Sequence, residues 1–98
     1  MESEMIELMT PKERLEKIKE AIKSHRIAMN YTQKELAQKS GIPLPTYKRF
    51  EQTGEVQLSS FLNILYTLGL NDWIKTLMTP YFDPFDDKKL SKKRVRKT

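Results

Sequence analysis

The sequence predicts a compact, all-α fold of five short helices. Two segments, beginning at Thr10 and at Thr32, read Thr-x-x-Glu, the capping box that starts a helix. Gly41, Gly54 and Gly69 each follow a run with helical spacing of apolar residues, where helices commonly end in the left-handed conformation. No segment shows convincing strand-like alternation of apolar and polar residues. We therefore expect one helical domain over residues 10–83, a short N-terminal arm over residues 1–9 and a flexible basic tail over residues 84–98.

The first two helices follow from the two capping boxes. The first begins after Thr10, with a proline in its first turn, and is expected to end near Met29. The second runs from Thr32 to the glycine at position 41, with Leu36 and Ala37 on its buried face. The apolar stripe predicted for the first helix contains Leu15, Ile18, Ile22 and Ile27.

The last three helices are marked by proline, glycine and apolar spacing. The third opens at residues 43–45 and ends at Gly54, with Tyr47 and Phe50 inward, because proline is tolerated in a first turn. The fourth runs from residue 57 or 58 to 68, and a fifth follows an Asn71 cap to about Thr79. The inward residues expected in the fourth helix are Leu58, Phe61, Leu62, Leu65 and Leu68.

Composition excludes several classes of protein. The chain has no cysteine and one histidine, so neither disulfides nor a thiolate or histidine-cluster metal site can form, and we expect no cofactor and no catalytic centre. No run approaches the roughly 20 apolar residues of a membrane span. The acidic start, MESEMIELMT, lacks the basic region of a signal peptide, so we expect a soluble, cytoplasmic protein.

The net charge of +5 is concentrated in the tail. Residues 1–83 carry 11 basic and 11 acidic side chains, whereas residues 84–98 carry seven basic and two acidic ones. The tail could attract phosphates without sequence preference, bind an acidic protein, or be only a solvated end. Its basic residues are Lys88, Lys89, Lys92, Lys93, Arg94, Arg96 and Lys97.

A set of residues at characteristic spacings lies within residues 19–77: Arg26, Thr32, Gln33, Leu36, Ala37, Gly41, Ile42, Phe50, Glu51, Gly54, Leu62, 67–70, Asp72 and Trp73. In this set the chain resembles the lambda-repressor and Cro-type (XRE) helix-turn-helix domain. The sequence departs from the family pattern at Pro43 and Pro45, where relatives more often carry serine, threonine or glutamine. The resemblance implies a lambda-repressor-like domain that lays its third helix in the major groove of double-stranded DNA.

A recognition helix needs exposed side chains in its first two turns that reach base edges. Leu44, Pro45, Thr46, Lys48 and Arg49 occupy these positions, and we expect them to contact bases. The planar fork of Arg49 suits guanine O6 and N7, whereas Leu44 and Pro45 can make only apolar contacts, for example with thymine methyl groups. The alternative is that Lys48 and Arg49 form a solvated helix face.

The resemblance also implies backbone contacts and a structural ion pair. Gln33 would bond a phosphate and brace the recognition helix, while Thr32 is more simply a cap and Lys34 could equally serve solubility. The pair at Arg26 and Glu51 would link the first and third helices. The full set of expected phosphate contacts is Thr32, Gln33, Lys34, Thr53 and Gln57.

An apolar cluster near the C-terminus has two interpretations. It is either the edge of the core, an interpretation that suits Trp73 and Leu77 best, or a dimer or partner surface. A two-fold dimer would double the contact that one helix makes with half of a palindromic operator. The cluster contains Trp73, Leu77, Met78, Tyr81, Phe82 and Phe85.

The functional expectation is a sequence-specific repressor that acts as a homodimer. The segment 47–58, the linker YFDPF and the ending RVRK are similar to HipB-like antitoxins, which repress their own operon and bind HipA-family kinase toxins. A stand-alone phage-type regulator remains open. So does a protein-interaction module that has lost DNA binding.

Overall fold

Five α-helices form between residues 11 and 78 of the computed structural model, which describes residues 8–80. We number them α1 (Pro11–Ala28), α2 (Gln33–Ser40), α3 (Leu44–Thr53), α4 (Leu58–Thr67) and α5 (Asp72–Met78). The described residues contain no strand. The prediction of an all-α fold with five helices is therefore confirmed. Over residues 8–80, no helix has both the length and the apolar character needed to cross a bilayer.

Both predicted capping boxes are present. The Thr32 hydroxyl accepts a hydrogen bond from the Glu35 backbone N–H at 3.0 Å, and the Glu35 carboxylate accepts one from the Thr32 N–H at 2.8 Å. Thr10 and Glu13 repeat the arrangement at the start of α1. These reciprocal bonds satisfy amide groups that lack partners within the helix, so the sequence fixes where α1 and α2 begin.

The core lies between α1, α2, α3 and α4, with α3 packed on α1 and α2, and α4 packed on α2. Tyr47 and Phe50 of α3 are fully buried, as the spacing predicts, and their rings are 6.0 Å apart. Phe50 also packs against Phe61 of α4, at 5.8 Å between ring centroids. Among the residues that the structure describes, the other buried apolar side chains are Ile22, Leu36, Ala37, Ile42, Ile64, Leu65 and Leu68.

Several apolar residues predicted to be inward are exposed instead. Leu15, Ile18 and Ile27 are 41–56% exposed, and only Ile22 of the predicted α1 stripe is buried. Leu58, the first residue of α4, is 67% exposed. A helical period identifies residues that share a face, but it does not tell how much of that face another element covers.

Candidate nucleic-acid interface

The connection between α2 and α3 is a tight, well-bonded turn. Gly41 ends α2 with φ of +71°, in the left-handed region where glycine is favoured. The next residue, Ile42, is buried and its N–H donates to the Ala37 carbonyl at 3.0 Å. Pro43 then precedes α3, and Pro45 lies in the first turn, where a missing N–H costs no helical bond. The relative placement of α2 and α3 is thereby fixed.

A buried polar cluster anchors α3 to α1 and α2. The guanidinium of Arg26 donates from Nε to Glu51 Oε2 at 2.7 Å and from Nη2 to Glu51 Oε1 at 3.3 Å. Gln33 Nε2 donates to Glu51 Oε1 at 2.9 Å, and the Tyr47 hydroxyl donates to Glu51 Oε2. Arg26 Nη1 also donates to the Tyr31 carbonyl at 2.9 Å. One carboxylate on α3 thus ties together three helices.

The pKa shifts of the cluster residues agree with the hydrogen bonds that they make. Burial by itself would raise the pKa of Glu51, but hydrogen bonds from Arg26, Tyr47 and Gln33 outweigh it and hold that pKa below its ordinary value. The hydrogen bond to Glu51 raises the pKa of Arg26. Burial and the neighbouring carboxylate raise the pKa of Tyr47. The cluster therefore holds one ionised pair and a neutral phenol at neutral pH.

The opposite face of α3 is turned to solvent. Pro45, Lys48 and Arg49 are exposed, and Thr46 is half-buried. Leu44 is half-buried and packs against the core, so only part of this side chain is available to a ligand. These five are the residues predicted to contact bases. Pro45, Lys48 and Arg49 lie on the solvent side of α3, whereas Leu44 and Thr46 are partly covered.

Arg49 has a partner that sequence reasoning missed. Its Nη2 donates to Glu55 Oε1 at 2.7 Å, and both side chains are well exposed. Glu55 follows the left-handed Gly54, and its N–H donates to the Thr53 hydroxyl at 3.0 Å, which fixes its backbone at the end of α3. An acidic residue just after a helix-ending glycine was the available signal, although the turn geometry was needed to interpret it.

The residues expected to contact phosphates occupy different surroundings. Thr32 caps α2, as its simpler interpretation predicts, and Gln33 is half-buried and bonded to Glu51, so it braces α3. Lys34 is exposed at the start of α2. The Thr53 hydroxyl donates to the Arg49 carbonyl at 2.8 Å and accepts from the Glu55 N–H at 3.0 Å. Gln57 is exposed immediately before α4.

Two residues of the predicted dimer surface, Leu77 and Met78, lie within the described part of the chain. Leu77 and Met78, at the end of α5, are 68% and 71% exposed, which does not suit the core-edge interpretation of Leu77. Asn71 precedes α5 as predicted, but its side chain makes no capping bond. Tyr81, Phe82, Phe85, the side chain of Trp73 and all seven basic tail residues lie outside the described part of the chain, as do residues 1–7 of the predicted arm.

Comparison with known families identifies the central part of this arrangement. Residues 22–54 match a family model described as helix-turn-helix, HTH_3. The match begins at Ile22 in α1 and ends at Gly54, so it contains α2, the turn, α3 and the Arg26–Glu51 pair. A comparison with curated proteins finds no match to the chain. The family is one of DNA-binding, non-enzymatic domains, so DNA is the partner that the match implies.

Proposed function

We propose that this chain, which contains a helix-turn-helix DNA-binding domain of the XRE/Cro type, is a transcriptional repressor acting in the cytoplasm. In this proposal α3 enters the major groove, and binding blocks a promoter that overlaps the site. Pro45, Thr46, Lys48, Arg49 and the exposed part of Leu44 contact base edges. Arg49 reads a guanine through the two parallel donors of its guanidinium.

The observation that carries the proposal is the division of α3 into two faces. Tyr47 and Phe50 are buried and Glu51 is bonded to two other helices, so the helix is rigidly held. Lys48 and Arg49 are exposed on its outer side. A helix fixed on one face and polar on the other can present side chains to bases without losing much conformational freedom on binding.

Phosphate contacts would orient α3 in the groove. Lys34 and the N-terminus of α2 offer positive charge at one end of the helix-turn-helix, and Thr53 and Gln57 offer polar groups after α3. The tail residues 84–98 would add attraction to any duplex, because their net charge is +5. Thr53 would contact DNA only by exchanging bonds it makes within its own loop.

We further propose a homodimer on a palindromic operator. Leu77 and Met78 leave apolar surface exposed at the end of α5, and covering it with a second copy would remove that surface from water. A two-fold dimer would place two α3 helices on half-sites about one helical turn of DNA apart. Sedimentation of the protein with and without a two-half-site duplex measures this stoichiometry.

Binding of a HipA-family kinase toxin is a second, finer proposal that rests on the sequence resemblance of residues 47–58 and of the ending to HipB-like antitoxins. Co-expression with a kinase encoded beside this gene tests it, with joint purification as the supporting result. A stand-alone phage-type regulator would instead show no such partner and would neighbour phage genes.

The decisive test of base recognition uses Arg49→Ala. The variant should bind a cognate duplex, selected from a random library, about 1–3 kcal/mol less tightly than the wild type does. Its preference at one base pair should also disappear. Lys23→Ala is the matched control, because it removes one exposed positive charge from α1 rather than from α3. Equal losses on cognate and random duplexes for Arg49→Ala would contradict direct readout.

The dependence of binding on salt separates DNA binding from the interaction-module alternative. A protein that neutralises several phosphates loses affinity steeply as salt rises, because binding releases counterions. A slope near zero in a plot of log K against log salt would favour the protein-interaction module.

A further inference from the structure

Glu55 holds the guanidinium of Arg49 on the outer side of α3. Glu55 Oε1 accepts from Arg49 Nη2 at 2.7 Å, and the contact joins one carboxylate oxygen to one nitrogen. Arginine has five N–H donors in a planar fork, so this bond leaves other donors available to a ligand. The pair can therefore persist while Arg49 contacts a base.

The backbone around the pair is fixed by bonds within the loop. The Thr53 hydroxyl accepts from the Glu55 N–H at 3.0 Å and donates to the Arg49 carbonyl at 2.8 Å. Gly54 is buried, has φ of +80° and donates its N–H to the Phe50 carbonyl at 2.7 Å. Both ends of the ion pair are thus attached to a single well-bonded corner of the chain.

Glu55 also lies on the surface that carries the proposed DNA contacts. It lines a shallow surface cleft together with Thr46, Arg49 and Gln57. A carboxylate repels phosphate, so its presence on this side needs a compensating role if the surface binds DNA.

We infer that Glu55 is a positioning residue that sets the specificity of Arg49 for its base. By holding Nη2, it restricts the rotamers of a long, flexible side chain and directs the fork to a base edge rather than to the nearby phosphates. Arg49 then loses side-chain conformational entropy in the free protein rather than on binding DNA. This inference rests on the proposed function, because it requires that Arg49 reads a base.

The test compares Glu55→Gln with Glu20→Gln. Both changes remove one negative charge from an exposed side chain, but Glu20 lies on α1, where its carboxylate is 3.8 Å from Lys19 Nζ. The measured quantity is the ratio of affinities for the cognate duplex and for a duplex altered at the one base pair whose preference Arg49→Ala abolishes. Removing a negative charge could raise the affinity for both duplexes equally, and such a gain cancels in the ratio.

We expect Glu55→Gln to lower this ratio about two- to fivefold, the size of an exposed ion pair, and Glu20→Gln to leave it unchanged. In an Arg49→Ala background, Glu55→Gln should have no further effect on the ratio. The Arg49 Nε–H order parameter of the free protein should also fall in Glu55→Gln, by NMR relaxation. An unchanged urea midpoint for Glu55→Gln would show that folding is intact.

Two results would overturn the inference in distinguishable ways. If Arg49→Ala abolishes a base preference but Glu55→Gln leaves the ratio unchanged, Glu55 has no positioning role and the proposed function stands. If no base preference depends on Arg49, base readout by that residue fails and the role of Glu55 fails with it.

Discussion

Replacing Glu51 by glutamine should strongly destabilise the domain. The side chains of Arg26 and Glu51 are only 11% and 6% exposed, so the change leaves a guanidinium charge buried without its counter-charge. Removing one partner of a buried pair costs about 3–5 kcal/mol. Glutamine keeps the shape and one acceptor oxygen for Tyr47 or Arg26, so we expect the lower end, about 3 kcal/mol. That is a large fraction of the roughly 5–15 kcal/mol that stabilises a typical domain.

Urea unfolding followed by far-UV circular dichroism measures this loss. The midpoint should fall while the slope m stays unchanged, because the surface exposed on unfolding is the same. Glu20→Gln is the control and should change the free energy of unfolding by less than about 0.5 kcal/mol, since its side chain is 63% exposed. The double variant Arg26→Gln/Glu51→Gln should lose less than the sum of the single variants. A loss below about 1 kcal/mol for Glu51→Gln would refute the reasoning.

The same carboxylate predicts a pH dependence. Because the pKa of Glu51 is lower in the folded protein than its ordinary 4.5, its stabilisation is complete above 4.5 and is lost as the pH falls through the folded value. Acidification below pH 4.5 should therefore destabilise the wild type more than Glu51→Gln. If the urea midpoints of the two proteins fall by the same amount as the pH is lowered, this prediction is wrong. Among the glycines, Gly54→Ala and Gly41→Ala should lower the urea midpoint by similar amounts. Both have φ above +70°, and left-handed strain costs about 1 kcal/mol, while a Cβ at Gly54 would lie 3.4 Å from Leu15, an ordinary van der Waals distance. A much larger loss for Gly54→Ala would show that Leu15 does not accommodate the Cβ.

Local signals predicted the helices well, because each depends on a few neighbouring residues. The threonine caps, the left-handed glycines and the inward Tyr47 and Phe50 follow from spacing and backbone preference alone. Burial on α1 and α4 was less predictable. Leu15 and Leu58 fit a helical stripe, but how much another element covers them depends on the tertiary arrangement.

The helix that carries the candidate site was predictable from the sequence, but the bonds made by its side chains were not. The resemblance indicated that Gln33 braces the recognition helix, and the structure identifies Glu51 as the group it bonds. The Tyr47 hydroxyl joins the same carboxylate, one helical turn away, which the spacing could have suggested. The Arg49–Glu55 pair depends on how the chain turns at Gly54, and no pattern in the sequence alone specifies that direction.

The separation of the two sides of α3 has a consequence for engineering. Tyr47, Phe50 and Glu51 hold the helix, while Pro45, Lys48, Arg49 and Gln52 remain exposed. If α3 reads bases as proposed, a library randomised only at the exposed positions would sample new operator preferences against a constant scaffold. Substitutions at exposed positions usually change stability by less than about 0.5 kcal/mol, so the fold would be kept.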